Sequence, residues 1–269
     1  ERESTYMPSI YAHTRFGRDL FDMLPEPAKH CVSKYRELYD IGLQGPDILF
    51  FYHPIRKNYV NQLGYSIHDW QGRKFFQAAA RTIRARRTKE ASLAYMCGVL
   101  CHYALDLVCH PYIERMVHSS RLHHCAIEGA FERLLIVEDH LPLNTLVTSS
   151  IHISKENASV IRQFYGHTTG KQILSALRFM VLCNDGLRLK DTLFKKSIFL
   201  FLRLIGKYDS IAGMVISPEP QPEYAETNKK LRQLYEEAKP VAIDLIQEFF
   251  SSISTGKALG HHFFPTFSG

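Results

Sequence analysis

Residues 98–112, GVLCHYALDLVCHPY, constrain this chain more than any other stretch. Val99, Leu100, Ala104, Leu105, Leu107 and Val108 leave a helix here with almost no polar surface, and a helix that is apolar nearly all round is normally buried. Into it the sequence sets His102, Asp106 and His110 at four-residue steps. At about 3.6 residues per turn each step rotates by about 40°, so the three side chains share one side over roughly two turns. Ionisable groups removed from water need partners. For this stretch alone two solutions stand open: a bound metal ion, or a buried His–Asp–His hydrogen-bond relay.

Further ionisable residues gather in the first half of the chain. His13 lies on the apolar side of a helix that begins after Pro8 and carries Ile10, Phe16, Leu20 and Phe21; alone it reads as a packed core histidine. Asp47 follows the turn signal Gly45-Pro46 directly before an apolar run, and alone it reads as a helix cap. His68 is placed at the start of a helix running through RKFFQAAARTIRARR, after a polar, irregular segment. His124 and Glu128 are four apart on a helix from about His123, as an ion pair or as two metal ligands. Each residue taken singly has an ordinary structural role open to it. Eight together, in two i,i+4 arrays and three outliers, favour one shared metal site. Imidazoles and carboxylates without a committed thiolate suit zinc.

No internal repeat and no run of period-2 alternation long enough for a sheet is present, so the expected class is all-α. Residues 1–269 are expected to form a single multi-helix domain, with the metal motifs in 7–133 and the helices of 141–269 completing the core. Helices are predicted over 27–43, from 89 to 108 with Pro111 ending or breaking it, and from a Ser154 cap to a stop at Gly166. Three more follow, over 169–185, over 190–215 with a break near Gly206, and a last long one kinked at Pro240. A 45% hydrophobic, 22% charged composition excludes a disordered chain. The net charge of +6 favours a phosphate-bearing or anionic-membrane partner without choosing between them.

Six cysteines without a C-x-x-C pair, several inside apolar helical patterns, read as free thiols and favour a reducing, cytoplasmic compartment, with secretion as the alternative. Thiolate metal binding by Cys97 and Cys101 is the weaker alternative. No signal-peptide run opens the chain, and the longest apolar run, 197–205, is too short to cross a bilayer, so no transmembrane segment is expected. A glycine-rich phosphate loop, a G-x-S-x-G elbow and a basic–aromatic stripe are all missing. His261 and His262 belong to a packed or exposed tail rather than to the ligand set.

The order and spacing of these motifs resemble the zinc-dependent phospholipase C family. The resemblance runs through M-P-S-x-Y-A-H at 7–13, G-P-D at 45–47, His68 before an aromatic segment, H-Y-x-x-D-x-x-x-H-P-Y at 102–112 and H-x-x-I-E-x-x-F-E at 124–132. It implies an all-α fold shared with single-strand-specific zinc nucleases and up to three zinc ions. By motif, Asp47, His68, His102 and Asp106 would surround the first zinc. Asp106 would bridge to a second, which also takes His13, and His110, His124 and Glu128 would hold a third. Asp47 would also be the catalytic residue, as base or orienter of the attacking water. The implied reaction splits a phospholipid into diacylglycerol and a phosphorylated head group, with transient membrane-surface contact. A nuclease or phosphatase on the same metals, or a non-catalytic zinc- or lipid-binding helical protein, are the alternatives. Phe50, Phe51, Tyr52, Tyr65 and Trp70 either line the entrance or belong to the core.

Two departures stand out. Secreted members use an amino-terminal tryptophan as a ligand, whereas this sequence begins at Glu1 with no tryptophan nearby, which leaves that zinc weaker, open or absent; were Met7 the natural start, a processed Pro8 amine would substitute in part. Secreted members also space the histidine after the shared aspartate more widely than Asp106 and His110.

Overall fold

Five helices precede the central one: α1 (Ile10–Leu20), α2 (Glu26–Lys34), α3 (Arg36–Gly42), α4 (Tyr59–Asp69) and α5 (Gly72–Arg84), with a 3-10 turn at Gly45–Phe51 between α3 and α4. The apolar stretch then forms the middle of α6 (Glu90–Ser119). It is followed by α7 (His124–Glu138), α8 (Lys155–Ile161), α9 (Gly170–Arg188), α10 (Ala225–Thr255) and a closing 3-10 turn, His261–Phe263. This computed structural model describes residues 9–120, 122–188, 216–267 and 269; among them there is no strand, and the fold is all-α. Met7, Pro8 and the helix expected over 190–215 lie outside the described residues.

Every side chain from Ala94 to Asp106 is buried. By length and composition α6 could cross a bilayer, but 89% of its most apolar window is covered by the rest of the fold. Its main neighbours are α3 and α10, with α2 and α1 beside them. Two glycines set the α3–α6 distance. A Cβ on Gly42 would stand 2.3 Å from the Tyr95 carbonyl, and one on Gly98 would stand 2.3 Å from the Tyr39 carbonyl. The backbones therefore touch, and this contact delivers the Gly45–Phe51 turn directly to the His102 side of α6.

Several boundaries differ from expectation. Tyr35 leaves helical geometry (φ −126°, ψ 50°) and splits 27–43 into α2 and α3. The segment expected to be irregular before His68 contains α4. Its cap is Asn58, whose side chain accepts the Val60 and Asn61 N–H groups at 3.0 and 3.1 Å, while Asn61 Oδ1 accepts the Asn58 N–H at 3.1 Å. His68 therefore ends α4 rather than starting the next helix. Pro111 does not end α6, which continues to Ser119. Leu107, whose carbonyl loses its usual donor to Pro111, is only half-buried, so water can reach that side of the helix. Asp47 lies inside its 3-10 turn and caps no helix. Ser154 caps α8 as expected, its hydroxyl accepting the Asn157 N–H at 3.0 Å, but α8 stops at Ile161 and a 3-10 turn, Arg162–Phe164, precedes Gly166 with its φ of 58°. Helix α10 runs through Pro240.

The tail packs behind the central helix. The Pro265 carbonyl accepts from the Tyr103 hydroxyl (2.9 Å) and the Gly72 N–H (2.8 Å), and Phe263 and Phe267 are fully buried against Phe76 and Tyr103. One hydrophobic cluster extends from Ile10 to Phe267.

Candidate metal centre

Five elements bring all eight sequence-predicted residues together. His13 comes from α1, Asp47 from the Gly45–Phe51 turn and His68 from the end of α4. His102, Asp106 and His110 descend one side of α6, and His124 and Glu128 project from the first turns of α7. Three groups result, each with ligand-type atoms within 4.8 Å of one another: Asp47–His68–His102, His13–His102–Asp106 and His110–His124–Glu128. The first two are wholly buried; the third is half-buried at His124 and Glu128.

Asp106 joins the groups. Its Oδ2 lies 3.0 Å from His102 Nε2, and its Oδ1 lies 3.3 Å from His13 Nε2 and 3.5 Å from His110 Nε2. Asp47 turns Oδ1 to His68 Nε2 at 2.8 Å and Oδ2 to His102 Nε2 at 3.7 Å. Glu128 Oε1 stands 3.1 Å from His124 Nε2 and 3.5 Å from His110 Nε2. The His13 and His102 rings stack with centroids 4.2 Å apart.

Outer contacts fix which ring nitrogen faces inward. His102 Nδ1 meets the Leu43 carbonyl (3.2 Å) and His68 Nδ1 the Gly64 carbonyl (2.8 Å), each as donor in the tautomer that leaves Nε2 as a lone pair toward the carboxylates. His102 Nε2, fully buried, makes no hydrogen bond despite its short distance to Asp106. A close approach of imidazole nitrogen and carboxylate oxygen outside hydrogen-bond geometry fits ligands that converge on a cation. The donors are imidazole nitrogens and carboxylate oxygens, the set that suits zinc. Cysteine does not compete: burial pushes the Cys101 thiol up to about 12 and the Cys97 thiol well above its usual range, so both stay protonated and packed.

Without an ion the groups behave as dense ion pairs. Burial alone would raise the Asp106 pKa, yet the surrounding His102, His110 and His13 hold it well below the carboxylate range. Burial alone would lower His13 and His68, and the carboxylates of Asp106 and Asp47 respectively raise them instead. The same contest leaves His124 at about 10, through Glu128 and Glu114, and Glu128 at about 2, through His124 and His110.

Several supporting residues carry no signal in the sequence. Glu114, one turn beyond His110 on α6, sets Oε1 3.0 Å from His124 Nδ1, completing a carboxylate–imidazole–carboxylate line with Glu128. Buried Glu132 accepts the Tyr11 N–H at 3.1 Å and the Ser9 hydroxyl and pairs with Arg188, fastening the start of the helix that carries His13. The motif at 124–132 contains Glu132 but gives it no role. Gly45 has φ +53°, and a Cβ there would fall 2.3 Å from His102 Cδ2. The Tyr165 hydroxyl donates to the Gly45 carbonyl at 3.2 Å. Phe267 packs its ring 5.7 Å from that of His68 and 6.4 Å from that of His102. Residues beyond 141 therefore wall the first group, which no motif indicates.

Among the candidate entrance aromatics, Phe50 and Phe51 are core, Phe50 packing against His68 and Tyr65; Tyr52, Tyr65 and Trp70 are half-buried. His261 and His262 are exposed and outside the centre. A narrow cleft of about 30 Å³ opens beside His13, Asp106, His110 and Glu128, walled by Ser9, Phe131 and Leu231.

A family model described as zinc dependent phospholipase C matches residues 12–177, which include all eight residues and extend past α8 into α9. No curated protein and no solved structure matches the chain.

Proposed function

Because the chain belongs to the zinc-dependent phospholipase C family, we propose that it is a metal-dependent phosphoester hydrolase that cleaves a phospholipid to diacylglycerol and a phosphorylated head group. The observation that carries this is Asp106, buried with one carboxylate oxygen on His102 and the other on His13 and His110. A carboxylate so divided could serve two cations at once. In this assignment Asp47, His68, His102 and Asp106 would hold one zinc, Asp106 and His13 a second, and His110, His124 and Glu128 a third.

Zinc, when bound, supplies Lewis acidity that neutralises charge on phosphoryl oxygens and makes water acidic enough to attack at neutral pH. The protein's own groups do the rest. Leu43 and Gly64 carbonyls orient His102 and His68. Asp47, held by its turn, takes the proton of the attacking water and aligns it for in-line displacement. Water oxygen ends on phosphorus, the phosphorus–glycerol oxygen bond breaks, and the proton ends on the diacylglycerol hydroxyl. Phe267 and the surrounding core keep bulk water from the Asp47 side.

The test is a panel of phospholipids, single-stranded DNA and a phosphomonoester, offered to metal-replete protein. Head-group phosphate released from lipid, and lost on Asp47→Asn with zinc content retained, supports the proposal. Cleavage of DNA or the monoester alone would make the protein a nuclease or phosphatase on the same residues, and no cleavage of any would leave a non-catalytic zinc protein.

A further inference from the structure

Away from the metal centre, the outer side of α9 repeats Lys171, Leu174, Ser175, Arg178, Phe179 and Leu182 at three- and four-residue steps. With Lys155 from the start of α8 they line an open groove of about 470 Å³. Two properties of this face bear on what it can bind. Leu182 is 63% exposed, the second-largest exposure among the large apolar side chains of the described residues, after Ile55. Lys155, Lys171 and Arg178 are all exposed, and among the described residues none of them forms an ion pair or hydrogen bond. Several other surface cations are paired: Arg18 with Asp139, Lys34 with Glu90, Arg232 with Glu236 and Glu138, Lys239 with Glu236 and Asp19.

We propose that this face of α8 and α9 is a docking surface for an anionic phospholipid bilayer. Charge complementarity identifies the occupant. Three uncompensated cations flank a strip of leucine and phenylalanine on one helix side, the pattern of a helix lying in a membrane interface. On a bilayer the aliphatic stems of Lys171 and Arg178 would lie along the apolar strip and carry their charges outward to phosphate, while Leu174, Phe179 and Leu182 would meet the upper acyl region. The protein's net charge of +6 adds a long-range attraction of the same sign. A nucleic-acid strand would want several stacking rings between the cations, and Phe179 is the one aromatic among the described residues here. The inference stands apart from hydrolysis, because it concerns binding and involves none of the eight residues of the centre.

Vesicle pelleting of the full chain in 0.1 M salt tests it, using sucrose-loaded phosphatidylcholine vesicles with and without phosphatidylserine. Partition to the anionic vesicles should exceed that to the neutral ones about tenfold or more, and Lys171→Gln with Arg178→Gln should lower it by about 30-fold. Lys155→Gln, on a different helix, repeats the test should the pair unsettle α9, with about a fivefold loss. Leu182→Asn should weaken binding without altering its salt dependence. Equal pelleting on neutral vesicles, or variants that bind like the parent, overturns the proposal. So does competition by millimolar inorganic phosphate at fixed ionic strength, which would make the groove a soluble-phosphate site. Lipid-free dimerisation abolished by Leu182→Asn would put a second copy of the chain there instead.

Discussion

Asp106 is 3% exposed and faces three imidazoles, a convergence that is costly as a set of separate buried contacts and that a cation resolves. The same logic identifies Glu114 as a positioning residue. By accepting from His124 Nδ1–H it presents Nε2 toward Glu128 and His110. Glu114→Gln should keep the fold and the first two zinc sites but weaken the third by about 10- to 100-fold; competition titration with a chromophoric chelator reads this, and three unchanged affinities would contradict it. A pH dependence follows for chelator-treated protein. His124 is raised from 6.5 to about 10, so its stabilising contribution is complete below pH 6.5 and is lost as pH climbs through about 10. Glu128 is lowered from 4.5 to about 2, so its contribution is complete above pH 4.5 and is lost as pH falls through about 2. The pair therefore supports the metal-free fold fully between pH 4.5 and 6.5. Melting temperatures across pH should fall on both flanks, and Glu128→Gln should flatten both. Equal slopes in parent and variant would remove the pair from the stability account. Zinc, which needs neutral imidazoles, should bind more tightly as pH rises over the same alkaline flank.

Among the elements, α4 shows how local chemistry decides a boundary. Its reciprocal cap uses Asn58 and Asn61, and Asn58→Ala should cost about 1 kcal/mol in a denaturant melt; a change within error would mean the turn is held by other contacts of the Tyr52 and Arg56 carbonyls, such as those from Asn61. A cap of two asparagines lacks the usual glutamate signature, so the sequence around it reads as irregular and His68 falls to the wrong helix. Its place in the centre is nevertheless visible, because a ligand's type and order survive a misplaced boundary. Pro111 misleads for a related reason: proline forbids one hydrogen bond, but whether that ends a helix depends on solvent access at Leu107, which is a tertiary property. The eight residues are legible because an apolar helix can accommodate a buried ionisable side chain in only a few ways. Glu114 is not, since its partner lies on another helix and its own surroundings are polar. Tyr165 and Phe267 are not either, since each reaches the centre across more than a hundred residues of chain.

For the molecule as a whole, the centre lies where α1, the Gly45–Phe51 turn, α4, α6 and α7 meet, so ions there would tie together elements far apart in sequence. The family match, the buried divided carboxylate and the outward orientation of the second ring nitrogens all support one account: a helical core built to hold zinc between α6 and its neighbours. Anomalous X-ray scattering at the zinc edge, on crystals of protein purified without chelator, tests that account most directly. It predicts at least two zinc peaks, with the two oxygens of Asp106 directed to different ions and His13 and His102 on opposite sides of the bridge. Fewer than one zinc per chain, or a single ion closed off by four protein ligands away from Asp106, would contradict it.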